Sequence, residues 1–405
     1  MTDPSRRAPE GVPVQATLRE VIETLAPIER PPCSPGEREA AEWIAHRLSD
    51  AGCSDVRLED EDAWGTFPPT ITAIGVLGFA GAAAAARGRR WIGGVLASLG
   101  AGALLDEIQN GPRLFRRAVR RKKQTVNVIA AAGHANASRT LVVLAHHDAA
   151  QTGLVFDQSW AKALHRRRPD LMEAGTKQIP QWWIGLAPGV LTLMAALLGR
   201  PRLARAGMVA AALGTAAMAD ILRSPTVPGA NDNLSGVAVL VALAEALRDR
   251  PVPGVRVMLV SCGAEEALQE GIRAFMSRHE EELGRDRTWF LNFDTVGSPD
   301  LVMLEGEGPA WMEEYADPSF RDLVADCARR SGIPLERGIR ARASTDSIIP
   351  SRAGYPAATL VSLMPWRMPG NYHQMSDVPG NINYHALEGA ARLGYAVAQG
   401  LGRRP

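Results

Sequence analysis

The chain has 405 residues, 46% of them hydrophobic and 22% charged, and carries a net charge of +1. That length supports one large domain or two ordinary ones, the apolar fraction excludes global disorder, and the balanced charge gives no reason to expect a nucleic-acid partner. Cys33, Cys53, Cys262 and Cys327 lie far apart without a CxxC pair, which argues against a thiolate zinc site or a disulfide framework and suits a reducing compartment.

Residues 1–17 read as a polar tail, and MTDPSRRAPEGVPVQ has no apolar run after its arginines, so it does not read as a secretory signal. Two amphipathic helices follow, split by a Pro-rich turn. The second starts at Ser34-Pro35-Gly36-Glu37, stops at Gly52, and sets Ala40, Trp43, Ile44 and Leu48 on one face. From Thr70 the composition changes. TITAIGVLGFAGAAAAA and WIGGVLASLGAGALL flank Arg87–Arg90, and WWIGLAPGVLTLMAALLG and AGMVAAALGTAAMADIL flank a second basic turn at Arg200–Arg202. These are two apolar helical hairpins, in residues 70–105 and within an insertion over 152–223. Their length is at or just under a bilayer span, and their Gly and Ala content suits close helix packing in lipid. The alternative is two buried hairpins in a soluble lid. Between them PRLFRRAVRRKK, Pro112 to Lys123, reads as a basic flank facing lipid headgroups. The expectation is a membrane-associated chain with its main domain in the cytoplasm, a lipid bilayer as partner, and a soluble cytoplasmic protein as the alternative. The basic hairpin tips pull against that orientation.

Residues 18–69, 106–151 and 224–405 form the remaining domain. Strands are expected at Val126–Ala131, Leu141–Ala145, Val255–Ser261, Thr288–Phe293, Leu301–Leu304 and Ala358–Leu363. Helices are expected at Asn233–Leu247, Glu270–Glu282, Pro318–Ser331 and His385–Leu401. Apolar strands alternating with helices imply an α/β fold, a mixed and mostly parallel sheet sandwiched by helices.

Metal-type residues gather where such a sheet places its sites, beyond the strand ends. His146, His147 and Asp148 end one strand. Asp232 sits in PGANDNLSG at a helix start, Glu265 and Glu266 follow another strand, Asp294 ends TWFLNFD, and His373 lies in NYHQMSD. Singly, each has an ordinary explanation: a helix N-cap, a solvated helix start, a surface histidine. Together, two histidines and several carboxylates suit zinc or a similar divalent ion, and two ions sharing a carboxylate would form a hydrolytic pair. Strand alternation puts His146 and Asp148 on one face and turns His147 away. Extended backbone at Glu265-Glu266 would point the two carboxylates at different partners.

The ordered set AHHDA, GANDNLSG, GAEEALQEGIRAF, NFDTVG and YHQMSD resembles the dizinc aminopeptidases of metallopeptidase family twenty-eight, and CSPGEREAAEWIAHRL resembles that family's N-terminal helix. The resemblance covers most of the chain outside the hairpins. It implies two zinc ions bridged by Asp232, one site completed by His146 and Asp294 and the other by Glu266 and His373. Glu265 would be the general base, Asp148 would support the His146 ring, and Tyr372 would donate to the oxyanion. It further implies an exopeptidase, most simply an aminopeptidase acting on peptides with a free N-terminus. A glutaminyl cyclase-like transferase and a non-catalytic scaffold are the alternatives. The chain departs from the family at Ser344-Thr345-Asp346-Ser347, where a Ser-Asp-His is frequent, and at Leu268, where glycine is frequent.

Overall fold

The computed structural model describes residues 14–134, 137–170 and 182–403, so most of the expected polar tail and the middle of the second insertion lie outside the described residues. In chain order the elements are α1 (Val14–Leu25), α2 (Pro35–Asp50), β1 (Ser54–Ala63), α3 (Pro68–Ala86), α4 (Arg90–Ile108), α5 (Leu114–Val119), β2 (Lys123–Gly133) and β3 (Arg139–His146). Then come α6 (Ser159–Arg167), α7 (Trp182–Leu198), α8 (Pro201–Arg223), α9 (Leu234–Asp249), β4 (Val255–Cys262), α10 (Glu270–His279), β5 (Thr288–Phe293), β6 (Asp300–Glu307) and β7 (Glu313–Glu314). The chain closes with α11 (Pro318–Arg330), β8 (Glu336–Ala341), α12 (Ile348–Arg352), β9 (Ala357–Leu363) and α13 (Tyr384–Gly402).

The strands form one nine-stranded sheet in the order β1-β2-β4-β3-β5-β9-β6-β7, with β8 also paired to β6. Its centre, β4-β3-β5-β9, is parallel, and the pairs toward the margins are antiparallel except β6-β8, which is parallel. The period of two in β3 sorts its side chains between two cores. Leu141, Val143 and Ala145 pack under α1, α2, α9, α11 and α13, whereas Val142 and Leu144 pack under α10 and its neighbours. Both faces of the central strands are therefore dry, which is why they read as unbroken apolar runs.

β1 escaped sequence reading because SDVRLEDEDA carries charge instead of alternation. It is an edge strand, paired only to β2, and edges tolerate such charge. Its acids find cations across the surface: Glu59 with Arg57, Asp62 with Lys122.

The four apolar helices pack as a bundle in which α3 touches α4 and α8, and α7 touches α4 and α8. All four begin or end on the sheet domain, and the turns after α3 and α7 are distal. Small residues face inward. A Cβ on Gly93 would lie 2.6 Å from both the Gly81 carbonyl and the Ala85 side chain, so only glycine allows α3 and α4 this approach. Large residues face outward: Trp91 is 62% exposed, Ile184 78% and Leu213 68%. A soluble bundle buries such residues and exposes the small ones. α3, α4 and α8 are long and apolar enough to cross a membrane, by length and composition; α7 is shorter.

The basic run between the hairpins does not behave as one lipid-facing flank. Arg113 and Arg116 are buried, pairing with Glu270 at 2.7 and 2.9 Å, and Arg116 also with Glu107 at 2.7 Å. Burying cations this deeply is sustainable only with such partners, and here the partners join the exit of α4 to α10. The basic residues from Arg117 to Lys123 stay toward the surface.

Gly93→Leu should wedge α3 from α4 and cost about 1–3 kcal/mol, lowering the thermal midpoint in detergent. Gly102→Leu, where an added Cβ meets open space, should not. Equal midpoints would overturn this reading of the bundle.

Candidate metal centre

The strand ends converge on one buried cluster. Asp232 lies between two imidazoles, its Oδ1 3.3 Å from His146 Nε2 and its Oδ2 3.2 Å from His373 Nε2. Glu266 Oε1 approaches His373 Nε2 at 3.1 Å, and Glu265 Oε2 stands 3.9 Å from His146 Nε2. Ligand atoms of His146, Asp232 and Glu266 all lie within 4.8 Å of one another. Asp294 follows β5 at the edge of this group and is buried without a direct imidazole contact among the described residues.

Local structure explains each placement. His146 ends β3 in register with Cys262 of β4. Asp148 accepts hydrogen bonds from the backbone N–H of Glu265 at 3.0 Å and of Glu266 at 2.9 Å, while its Oδ1 lies 3.4 Å from His146 Nδ1. One carboxylate thus ties the end of β3 to the glutamate turn. That turn is a 3-10 segment, Glu265–Ala267, rather than extended backbone. Its residues rotate by roughly a third of a turn each, which still sends Glu265 toward His146 and Glu266 toward His373. Glu37 of α2 holds the preceding Ala264 N–H at 2.8 Å.

The Asp232 turn is fixed from two sides. Asp377 accepts from the N–H groups of Asn231 and Asp232 at 2.8 and 3.1 Å, locking the turn to the His373 loop. Asn233 donates to the Phe293 carbonyl at 2.8 Å and accepts from Thr295 N–H at 3.0 Å, locking it to the end of β5. A Cβ on Gly236 would sit 2.3 Å from that Phe293 carbonyl, so the start of α9 needs glycine to press this close. Arg30, wholly buried, donates to the carbonyls of His147 and Gly229 at 2.8 and 2.9 Å.

His147 points elsewhere: its Nδ1 is 3.0 Å from Ser261 Oγ, and burial pushes its pKa down to about 4. Tyr372 stacks on His373 with ring centroids 3.9 Å apart, and Phe156 closes edge-on at 4.4 Å. Burial, then the carboxylates Asp232, Glu266, Glu265 and Asp294, push the Tyr372 phenol well above its usual range. Sequence reading gave no site role to Arg30 or Phe156, which lie outside any motif, nor to Glu37 and Gln269, which it quoted only as positions within motifs. It quoted Asp377 only as a motif position.

Six carboxylates (Asp148, Asp232, Glu265, Glu266, Asp294, Asp346) face two imidazoles, and all are buried. Burial, reinforced by Asp346, Glu266 and Asp294 against the His146 imidazole, pushes Glu265 well above the carboxylate range. Asp294 and Asp346 are pushed up to about 7, again first by burial. Burial opposes charging of the imidazoles, but the carboxylates win: His146 rises well above its usual value, and His373, facing Glu266 and Asp232, rises to about 10. His373 Nδ1 and both Asp346 oxygens have no hydrogen-bond partner among the described residues. Dry, mutually repelling carboxylates with unspent lone pairs fit divalent cations, and the N,O donor set with no thiolate suits zinc.

Freed of metal, the folded site binds more protons than the unfolded chain through raised Glu265, Asp294, Asp346, His146 and His373, which outnumber the lowered Asp232 and His147. On balance its stability is lost as pH rises toward about 10, while the lowered Asp232 withdraws its own share only in strong acid. Chelator-treated protein should therefore show a thermal midpoint that falls across pH 5 to 8. Added zinc should raise the midpoint most at the alkaline end. A zinc response independent of pH would contradict this.

Residues 204–398 match the family model described as Peptidase family M28. The fold is similar to a glutaminyl cyclase from an Acidobacteriales bacterium, at TM-score 0.56 and 14% identity, covering 100% of both chains. It is also similar to a leucine aminopeptidase precursor from Bacteroides thetaiotaomicron, at TM-score 0.55 and 14% identity, covering 95% of this chain and 96% of that one. An aminopeptidase from an Aneurinibacillus strain aligns at TM-score 0.52 and 15% identity over 95% of this chain and 93% of its own. No curated protein gives a significant match. The matched region holds Asp232, Glu265, Glu266, Asp294 and His373, and the fold around it is similar to that of solved aminopeptidases and glutaminyl cyclases.

Proposed function

We propose that this protein is a membrane-tethered, dizinc aminopeptidase. The observation that carries the proposal is Asp232 set between His146 and His373, with Glu265 beside them and not engaged with either imidazole at hydrogen-bond distance. Asp232 would be shared between two ions, with His146 and Asp294 holding one and Glu266 and His373 the other. When bound, the ions would polarise the scissile carbonyl and lower the pKa of water from about 15.7 to about 7. Glu265, already biased by its surroundings toward holding a proton, takes the proton of the attacking water and hands it to the leaving amine. The Tyr372 hydroxyl donates to the oxygen that gains negative charge. Asp148 keeps the His146 ring and the glutamate turn in one register. The excess of buried carboxylate favours a substrate whose reacting end is cationic, as a free peptide N-terminus is.

The outward large residues of the bundle support insertion in lipid. A 19-residue helix spans about 30 Å, the thickness of the hydrocarbon core. A small cavity of about 10 Å³ beside Glu266 is lined by Phe67, Pro68 and Ile221, which sets the cluster close to the foot of the bundle. The surface cations from Arg117 to Lys123 at this foot favour a cytoplasmic catalytic domain. A glutaminyl cyclase-like transferase is the second reading, since proteins so named share the fold.

Glu265→Gln and His146→Ala should each reduce release of nitroaniline from aminoacyl-nitroanilides at least about 100-fold, whereas His147→Ala should cost far less. Undiminished turnover in Glu265→Gln would refute the mechanism. Cyclisation of glutaminyl peptides without peptide hydrolysis would favour the second reading, as would a single zinc per chain. Full-length protein should sediment with membranes and need detergent for release; protein remaining in the supernatant would refute the anchor.

A further inference from the structure

The glutamate turn is gripped from outside the sheet by the segment that leaves α4. Arg116 donates to the Ala267 carbonyl at 2.6 Å and Arg113 donates to that of Leu268. Both guanidiniums also meet Glu270. Within this grip lies Gln269, 2% exposed, at the position four residues after Glu265. Its Nε2 donates to Glu265 Oε1 at 2.5 Å and to the Ser344 carbonyl at 3.0 Å. Its Oε1 accepts from Asn110 Nδ2 at 2.8 Å and from Ser344 Oγ at 3.0 Å.

These four bonds leave the amide one orientation. The Ser344 carbonyl can only accept, so the –NH2 must face it, and the same –NH2 reaches Glu265. Asn110 is fixed in its turn: its side-chain oxygen accepts from Arg113, and its own carbonyl accepts from Arg273 at 2.9 Å and Arg352 at 3.1 Å. Gln269 engages Oε1 of Glu265, while Oε2 faces His146 at 3.9 Å. One oxygen of the carboxylate is tethered and the other is left for chemistry.

We propose that Gln269 is the positioning residue of Glu265, and that Asn110, two residues beyond the end of α4, positions Gln269. The inference rests on Glu265 acting as the base. It gives the apolar bundle a second role, since the element that sets the aim of the base is the exit of a bundle helix. A buried polar network is worth having only when every member is satisfied. All four hydrogen-bonding positions of the Gln269 amide named here are filled.

The test uses the full-length protein in detergent and the aminoacyl-nitroanilide it cleaves fastest, with Gln269→Leu, Asn110→Leu and the double variant. Gln269→Leu should lower kcat about 10- to 100-fold, the scale of a misplaced catalytic group, with KM within about twofold and zinc content unchanged. Asn110→Leu should lower kcat less, and the double variant should match Gln269→Leu alone, because Asn110 acts through Gln269. An unchanged kcat in Gln269→Leu, or effects that multiply in the double variant, would overturn the proposal. Glu265→Gln run in parallel separates the two failures: if it retains turnover, the base assignment falls; if it is inactive while Gln269→Leu is not, only the positioning falls. A crystal structure of Gln269→Leu reads the same question without turnover, and an unmoved Glu265 carboxylate would overturn it. If Gln269→Leu does not fold, Asn110→Leu decides, since it removes the bonds to Gln269 and Ser344 together with the one from Arg113 and leaves the Gln269–Glu265 bond itself in place.

Discussion

Too much negative charge is held in too little water at the carboxyl ends of β3, β4 and β5. Six carboxylates around two imidazoles would repel one another apart if the scaffold were soft. Everything near them reads as restraint against that repulsion. Asp148 spends both oxygens on backbone N–H groups of the glutamate turn, Asp377 does the same for the Asp232 turn, and Asn233 ties that turn to β5. The dry two-sided sheet beneath supplies the stiffness. The cluster keeps its geometry by using other carboxylates and amides as fasteners.

The central strands and the helices that cover them were legible because their physics is periodic: apolar runs with period two, and helical faces with start signals such as Ser34. The candidate ligands were legible because titratable residues at strand ends are costly to keep without a use. What stayed hidden was whatever depends on pairing across the chain. β1 is a strand because β2 offers it partners, not because its own charged sequence asks for one. Arg113 and Arg116 looked like surface charge, and only the fold reveals Glu107 and Glu270 waiting for them. The glutamate turn was expected to be extended, but Asp148 pulls two successive N–H groups to one carboxylate, and a tight turn is what permits that.

The bundle and the sheet domain are not independent bodies joined by a thread. Gln109, at the end of α4, accepts from Ala310 N–H at 3.0 Å and donates to Glu313 at 2.6 Å, and Trp183 at the start of α7 donates to the Ala310 carbonyl at 2.8 Å. With the arginine pairs and the Asn110 contact, the foot of the bundle is bolted to the loops that carry the site. The bundle itself inverts the soluble pattern, with glycine and alanine inside and tryptophan, isoleucine and leucine outside.

Both insertions are stapled shut where they leave the sheet domain. Ala63, just before the first, pairs with Lys123 just after it, and Gln151 forms a bridge with Thr226 around the second. Joining chain ends across a long flexible loop carries an entropic cost, and non-local strand pairing slows folding for that reason. A helical hairpin formed early returns its two ends to the same place, so the strands on either side meet as though little chain lay between them. The order of synthesis then favours assembly in which each hairpin closes first and the sheet zips up behind it.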